Sequence, residues 1–355
     1  YKDVPQFVPA TYGDDLADWD RSKNPAFSYC DARCWLAERD GEIVGRIGAI
    51  RSRKANEKWG TNRMRFTQVD FIDDPEVSAA LFAVVEDWAR ELGCAAVHGP
   101  LGFTDMDREG MLVEGFDRRS CFFTYYNFPY YIDHMTALGY VKDVDWIEEL
   151  ITVPTDEKII QRWEKLSDFV LKRNHLHIVE PKNRLAYLPL LKPFFDLVNV
   201  AYAPLYGTVD LTEQQIRKYS SKFAPLINPN TTCFVMDKND RMIAFGVGAP
   251  SLAAAMQKHR GRLFPTGCRR AEGIPEERHG GSAAHRRPPG LSGPGRQRHH
   301  PQQDHEGLPE DGHQGGGDRP HAGAERQGAV PVEGFPDGAA QAPPLLRQGA
   351  DPCRR

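Results

Sequence analysis

Asp105, Asp107 and Glu109 alternate through residues 98–111, HGPLGFTDMDREGM. Carboxylates at that spacing suit a hard cation. The stretch lacks the glycine and the terminal glutamate register of a calcium loop, so a solvated or backbone-bonded loop is the expectation. Cys30 and Cys34 stand a helical turn apart. Zinc would need two further placed ligands, and none stands out. His175 and His177 flank Leu176 and read as surface residues on a strand edge. His299, His300, His305, His313 and His321 lie in a Gly/Pro-rich tail that holds metal only adventitiously. No metal is expected. Cys30, Cys34, Cys94, Cys121 and Cys233 have apolar or aromatic neighbours and read as buried free thiols.

The elements that must position such groups come from an internal repeat. Residues 34–45, CWLAERDGEIVG, match residues 233–244, CFVMDKNDRMIA, position by position in character. Each reads as a hairpin, with turns at Arg39-Asp40-Gly41 and Lys238-Asn239-Asp240. Residues 64–72 have the aromatic and β-branched content of a strand. Asp74 then caps a helix with Pro75 in its first turn, Val77, Leu81, Val84, Val85 and Trp88 on one face, and Gly93 as the stop. A short strand over 94–97, a helix over 130–138 ending at Gly139, and a strand over 144–153 follow. A charged helix over 157–173 links to a second half restarting at His177. That half holds helices over 188–202 and 212–223, the latter opened by a Thr212/Gln215 capping box.

This order, carried by ERDGEIVGRIGAI, MRFTQVDFI leading into a helix, and YYNFPYYIDHMTALGY, resembles the GCN5-related N-acetyltransferase fold. The resemblance covers about residues 7–153 and resumes over about 177–267. It also looks like an uncharacterised bacterial tandem family of that fold. It implies an α/β protein of tandem domains, each a mixed, largely antiparallel sheet flanked by helices. The domains would be 1–153 and 177–267, with 154–176 as linker and a disordered tail from 268 to 355 truncating the second. The implied activity is acyl transfer from acetyl-CoA or another acyl-CoA to a small-molecule or peptide amine.

By family position the first domain's cofactor contacts would be Gln68, Val69, Phe71, Val77, Ser78 and Asn127, with Asp70 and Tyr126 as catalytic candidates. Asp70 or Gln68 would act as a base or hold the amine. The family's usual Tyr position falls at Met135. Tyr125, Tyr126, Tyr130 and Tyr131 also suit a packed aromatic cluster. The phosphate loop departs from the pattern: residues 73–79, DDPEVSA, contain no glycine, a proline that removes a donor, and three acids where a diphosphate would lie. A capped helix without cofactor is the expectation there. A non-catalytic binding or scaffolding protein of this fold is one alternative. A Fem-like transferase acting on aminoacyl-tRNA is another, but it would want a basic surface, and the net charge is −4.

The same charge, without a long basic run, points away from nucleic acid. No stretch approaches the roughly 20 apolar residues of a membrane span, and the first residues lack a signal pattern. Cysteine usage fits a reducing cytoplasm. From Cys268 onward the chain has no Lys, Asn, Thr, Tyr, Trp or Met. That loss fits a shifted reading frame. Residues 291–307, read one base later, permit Gln-Gly-Arg-Gly-Val-Asn running into an apolar-periodic helix. Residues 318–328 permit Thr-Gly-Pro-Met-Leu, an echo of Gly99-Pro100-Leu101. The second domain's cofactor loop would then belong to the other frame.

Overall fold

Asp40 and Gly41 set the first hairpin. Both take positive φ, 52° and 84°, the geometry of a two-residue turn that matches strand twist. The computed structural model describes residues 1–223, 227–262 and 346–348. All lie in one compact unit made of Tyr1–Gly273 and Pro331–Arg355. A second unit, Ile274–Val330, falls outside the described residues, as does the expected disordered tail apart from residues 346–348, which form a short strand instead.

A short helix α1 (Asp14–Trp19) precedes strands β1 (Cys30–Arg39) and β2 (Glu42–Ser52). Helix α2 (Arg53–Trp59) leads to β3 (Arg63–Phe71), then α3 (Pro75–Glu91), β4 (Ala96–His98) and α4 (Tyr130–Ala137). Strand order is β4-β3-β2-β1, and Leu346–Gln348 pairs outside β1. β3 runs antiparallel to β2 and parallel to β4, so the sheet is mixed. The α3 start follows its sequence: the Asp74 carboxylate accepts from Glu76 N and Val77 N, and Pro75 sits in the first turn. Val77, Leu81, Phe82, Val85 and Trp88 pack on Trp35, Ile47, Ala49, Met64 and Phe66. Each such side chain contributes roughly 1.5–3 kcal/mol by leaving water.

Helix α5 (Glu157–Arg173) joins the second half, with β5 (His177–Val179), α6 (Leu188–Tyr202), α7 (Glu213–Phe223), β6 (Thr232–Met236), β7 (Met242–Val247) and α8 (Ala253–His259). Its sheet has order β5-β6-β7. The α7 capping box is formed in both directions: Gln215 N donates to Thr212 Oγ1 at 3.3 Å, and Thr212 N to Gln215 Oε1 at 2.9 Å. The two hairpins share a detail beyond their turns. In each, one extra residue bulges from the second strand, Val44 opposite Ala37/Glu38 and Ile243 opposite Val235/Met236. These two residues are equivalent in the repeat.

The second half lies against the sheet face opposite α3. Arg65 Nη2 donates to Gly207 O at 2.6 Å, Trp59 Nε1 to Thr208 O at 3.0 Å, and Gln215 Nε2 to Tyr29 Oη at 2.7 Å. Lys218 pairs with Asp18 at 2.8 Å.

Some expectations fail for physical reasons. Residues 144–153 form no strand. No described strand offers them a ladder, and an unpaired strand is not stable alone; Ile147, Leu150 and Ile151 are left exposed. Helix α5 forms, but Ile159, Trp163, Leu166 and Phe169 are exposed as well. Cys30 and Cys34 sit on a strand, not a helix. Four strand steps separate them by roughly 13 Å, too far for one metal. Helices α2 and α8 were not expected. Both are short: α2 is fixed at its ends by the Ser52 cap and by Gly60 at φ 60°, and α8 by burying Ala253 and Met256 against Val8 and Leu252.

Candidate functional site

One extra residue in β3 decides which face Asp70 occupies. Arg46 pairs with Asp70 and Gly48 with Thr67, so three steps on β3 oppose two on β2. Gln68 sits in this bulge at φ 45°. It resets the alternation, so that Thr67 and Asp70 share the face opposite α3 while Val69 and Phe71 pack with the α3 core. Without it Asp70 would point into that core. Asp70 Oδ2 accepts from Arg46 Nε at 2.7 Å, and Oδ1 accepts from Tyr1 Oη at 2.9 Å. The Tyr1 and Tyr131 hydroxyls are 3.0 Å apart, and Tyr131 Oη accepts from Phe71 N at 3.1 Å. Proton donation therefore runs from Phe71 N–H through Tyr131 and Tyr1 to the Asp70 carboxylate. Burial raises the pKa of both tyrosines above the ordinary phenol range, with Asp70 adding to it.

In the fold that the sequence resembles, an acyl-pantetheine arm would pair with the free edge of β3, and here the same contacts close that edge. Tyr131 takes the Phe71 N–H, and Tyr130 Oη donates to Phe71 O at 2.6 Å. At the start of α3, Val77 N and Glu76 N are already bonded to Asp74. Arg39 is engaged by Asp74 at 2.7 Å and by Glu76 at 2.9 Å. A coenzyme A diphosphate would meet capped donors and carboxylates, so the first half does not fit that group. Ser78 Oγ lies 2.7 Å from His134 Nδ1, and His134 Nε2 lies 2.9 Å from Asp73 Oδ1. The row has the order of a nucleophile, base and acid. Ser78 is 1% exposed and also contacts Pro75 O, so the row fastens α4 to the first turn of α3.

Tyr126 and Asn127 stand apart from Asp70. Tyr126 is buried; its hydroxyl reaches Phe116 O at 3.4 Å, and its ring meets the edge of Tyr1. Asn127 is spent on backbone, accepting from Leu112 N and donating to Leu112 O and Phe128 O. Met135 packs against the α3 core. Asp107 holds its own loop, Oδ2 accepting from Phe103 N at 2.8 Å. Among the described residues no group of three or more His, Cys, Asp or Glu side chains is placed to hold a metal ion. No described helix is long and apolar enough to cross a membrane.

The chain is similar to Protein YghO of Escherichia coli (strain K12), 28% identical over 274 residues that make up 75% of this chain and 67% of that protein. It is similar to the bacterial ceramide synthase of Caulobacter vibrioides (strain NA1000 / CB15N), 25% identical over 253 residues, 69% of this chain and 62% of that one. It thus spans about two thirds of the length of these curated relatives. No family model matches the chain, and no solved structure matches it.

Several polar groups on the Asp70 face, Glu109 apart, escaped the sequence reading. Arg65 is 2% exposed and donates to Gly102 O as well as Gly207 O. Near it, burial pushes the Glu109 carboxyl up to about 8, and Glu109 Oε1 is buried without a hydrogen bond. His98 Nδ1 lies 2.8 Å from Tyr206 Oη, which donates to Asp143 at 2.5 Å. Burial, aided by Arg65 and Arg63, pushes His98 down to about 3. The residue types at 105–109 were the available signal, but the acids drew attention and Arg108 between them did not.

Proposed function

We propose that this chain is an N-acyltransferase of two GCN5-related N-acetyltransferase-like units, moving an acyl group from an acyl-CoA to an amine. The likeness to a ceramide synthase carries the reading. A ceramide is the amide of a fatty acid and a long-chain amino alcohol, so its synthesis forms an N-acyl bond. Support comes from the mixed sheet with β3 and β4 parallel, the bulge at Gln68, helix α3 opening at the end of β3, and the equivalent bulges of the two hairpins. In this reading the second unit holds the acyl donor, on a glycine loop whose reading frame is lost after Cys268, outside the described residues. The larger alignment leaves a quarter of the chain unmatched, about the share that residues 268–355 represent. The first unit supplies the polar face around Asp70, where a carboxylate beside a guanidinium can hold an amine and take up its proton.

A non-catalytic binding protein is the second reading. The observation favouring it is the Phe71 edge closed by Tyr130 and Tyr131. The coding DNA near Gly267 tests the frame. Acetyl-CoA and a long-chain acyl-CoA, titrated into the present and the frame-restored proteins, test the donor. Saturable binding by the restored protein alone is expected. Tight binding by the present chain would move the donor to the first half, and no binding by either would sink the acyltransferase reading.

A further inference from the structure

A charge withdrawn from water without an opposite charge is costly. Arg108 is such a group. It is half-buried in the loop facing the sheet. Nη2 donates to Phe122 O at 2.6 Å, and the guanidinium stands 5.9 Å from the Tyr125 ring centre. Burial disfavours its charge most and Arg46 adds to that, while Tyr125, Asp15 and Asp14 favour it only through space. Arg46 is the second guanidinium of the same space. Asp70 holds its Nε at 2.7 Å, and Asp15 comes only to 4.0 Å from Nη1. Helix α1 brings Asp15, β2 brings Arg46, β3 brings Asp70 and Thr67, and the loop brings Arg108 and Tyr125. Asp15 and Arg46 are 45% and 44% exposed, so the space opens to solvent. It therefore has an acidic side at Asp70 and Asp15, and a basic side where Arg108 has no carboxylate partner among the described residues.

We propose that this solvent-open space binds an amine that also carries an oxyanion, the ammonium against Asp70 and Asp15 and the oxyanion against Arg108 and the Nη groups of Arg46, which Asp15 approaches only to 4.0 Å. A guanidinium presents a planar fork that matches carboxylate or phosphate. The charge of Arg46 disfavours that of Arg108, and one anion shared between them would relieve both. The amine half rests on the reading of the chain as an N-acyltransferase; the oxyanion half stands without it.

Calorimetric titration of the full chain, in chloride buffer of low ionic strength, tests both. Inorganic phosphate and O-phosphoethanolamine form one arm, acetate and β-alanine the other, and the arm that binds names the oxyanion. Expected is saturable binding in one arm, at least about tenfold tighter for its amine-bearing member. Binding should be lost in Arg108→Gln and weakened but still saturable in Arg108→Lys, which keeps the charge without the fork, with both variants folded by circular dichroism. No saturable binding in either arm, or equal binding by wild type and Arg108→Gln, would overturn the oxyanion site. Equal affinity for the amine-bearing and the plain anion would overturn the amine half. Failure of acyl transfer, measured separately with the frame-restored protein, would leave the anion result intact.

Discussion

Val44 and Ile243 bulge at the same place in two hairpins of like sequence, yet the hairpins live in different surroundings. Beside β2 lie β3 and α3, and Ile47, Ala49 and Ile50 of β2 are buried. Beside β7 no further described strand pairs, and Ile243 and Val247 are exposed. The turn and the bulge are thus local properties that survive without neighbours. Burial is not, and needs the strand and helix that the first half has and the described part of the second lacks. An open strand edge with exposed apolar residues is a template for unwanted pairing, so the second sheet is the weaker partner. What holds it is α6, whose Leu190, Phe194 and Leu197 pack with Phe234, Met236 and Met242, while the chain beyond α6, from Gly207 to Lys218, grips the first half's polar face.

The largest effect on this comparison should come from cutting that grip. Arg65 spans from β3 to carbonyls in both halves, Gly102 O and Gly207 O. Arg65→Met keeps the volume and removes both donors, leaving buried acceptors unpaired. A loss of about 3 kcal/mol or more is expected. Urea unfolding followed by tryptophan fluorescence should show it, and limited proteolysis should release the second half first. An unchanged midpoint and cleavage pattern would mean that the halves are held by other contacts.

The contrast also explains what could be read in advance. Asp40-Gly41, the Asp74-Pro75 start of α3, the Thr212–Gln215 box and the whole of α5 are local patterns within a few residues of one another. The Asp70 face is different. Arg65 meets Gly207, His98 meets Tyr206 and Asp15 meets Arg46, pairs that only the folded chain brings together. The residues 144–153 show the reverse failure. They read as strand, but a strand exists only with a partner. Asp70 was legible as a candidate because it lies on the central strand. Its true partners, Arg46 and Tyr1, come from a bulge count that no local pattern reveals.

Glu109 gives a smaller, pH-dependent effect at the same junction. Its folded pKa is raised to about 8, by burial first and despite Arg65, against an unfolded value of about 4.3. The folded chain therefore keeps a proton that the unfolded chain has released. Its contribution is complete below about pH 4.3 and is lost as pH rises through about 8. Glu109→Gln removes that dependence. Wild type and variant should be about equally stable near pH 4. Near pH 9 the variant should be more stable by roughly 2 kcal/mol, a figure reduced for the side chain's partial exposure. Urea midpoints at pH 4, 7 and 9 measure it; parallel curves would show that Glu109 is ionised in the fold.

The finest test sits at one repeat position occupied by Gly45 in the first hairpin and Ala244 in the second. A Cβ on Gly45 would lie 2.8 Å from Leu81 Cδ1, 3.1 Å from Val77 Cγ1 and 3.1 Å from Asp70 O. It would press α3 and the candidate site together. Ala244 is exposed, with nothing of that kind against it. Gly45→Ala should therefore cost about 1–3 kcal/mol through overpacking, although alanine suits a strand better than glycine. Ala244→Gly should cost under about 1 kcal/mol, the backbone term alone. If the reading-frame argument holds, restoring the frame places a strand and helix against the second hairpin. Ala244 should then resist enlargement to valine as Gly45 resists alanine, whereas in the present chain Ala244→Val should be nearly neutral. Equal tolerance in both proteins would mean that the second hairpin keeps its open edge whatever follows Cys268.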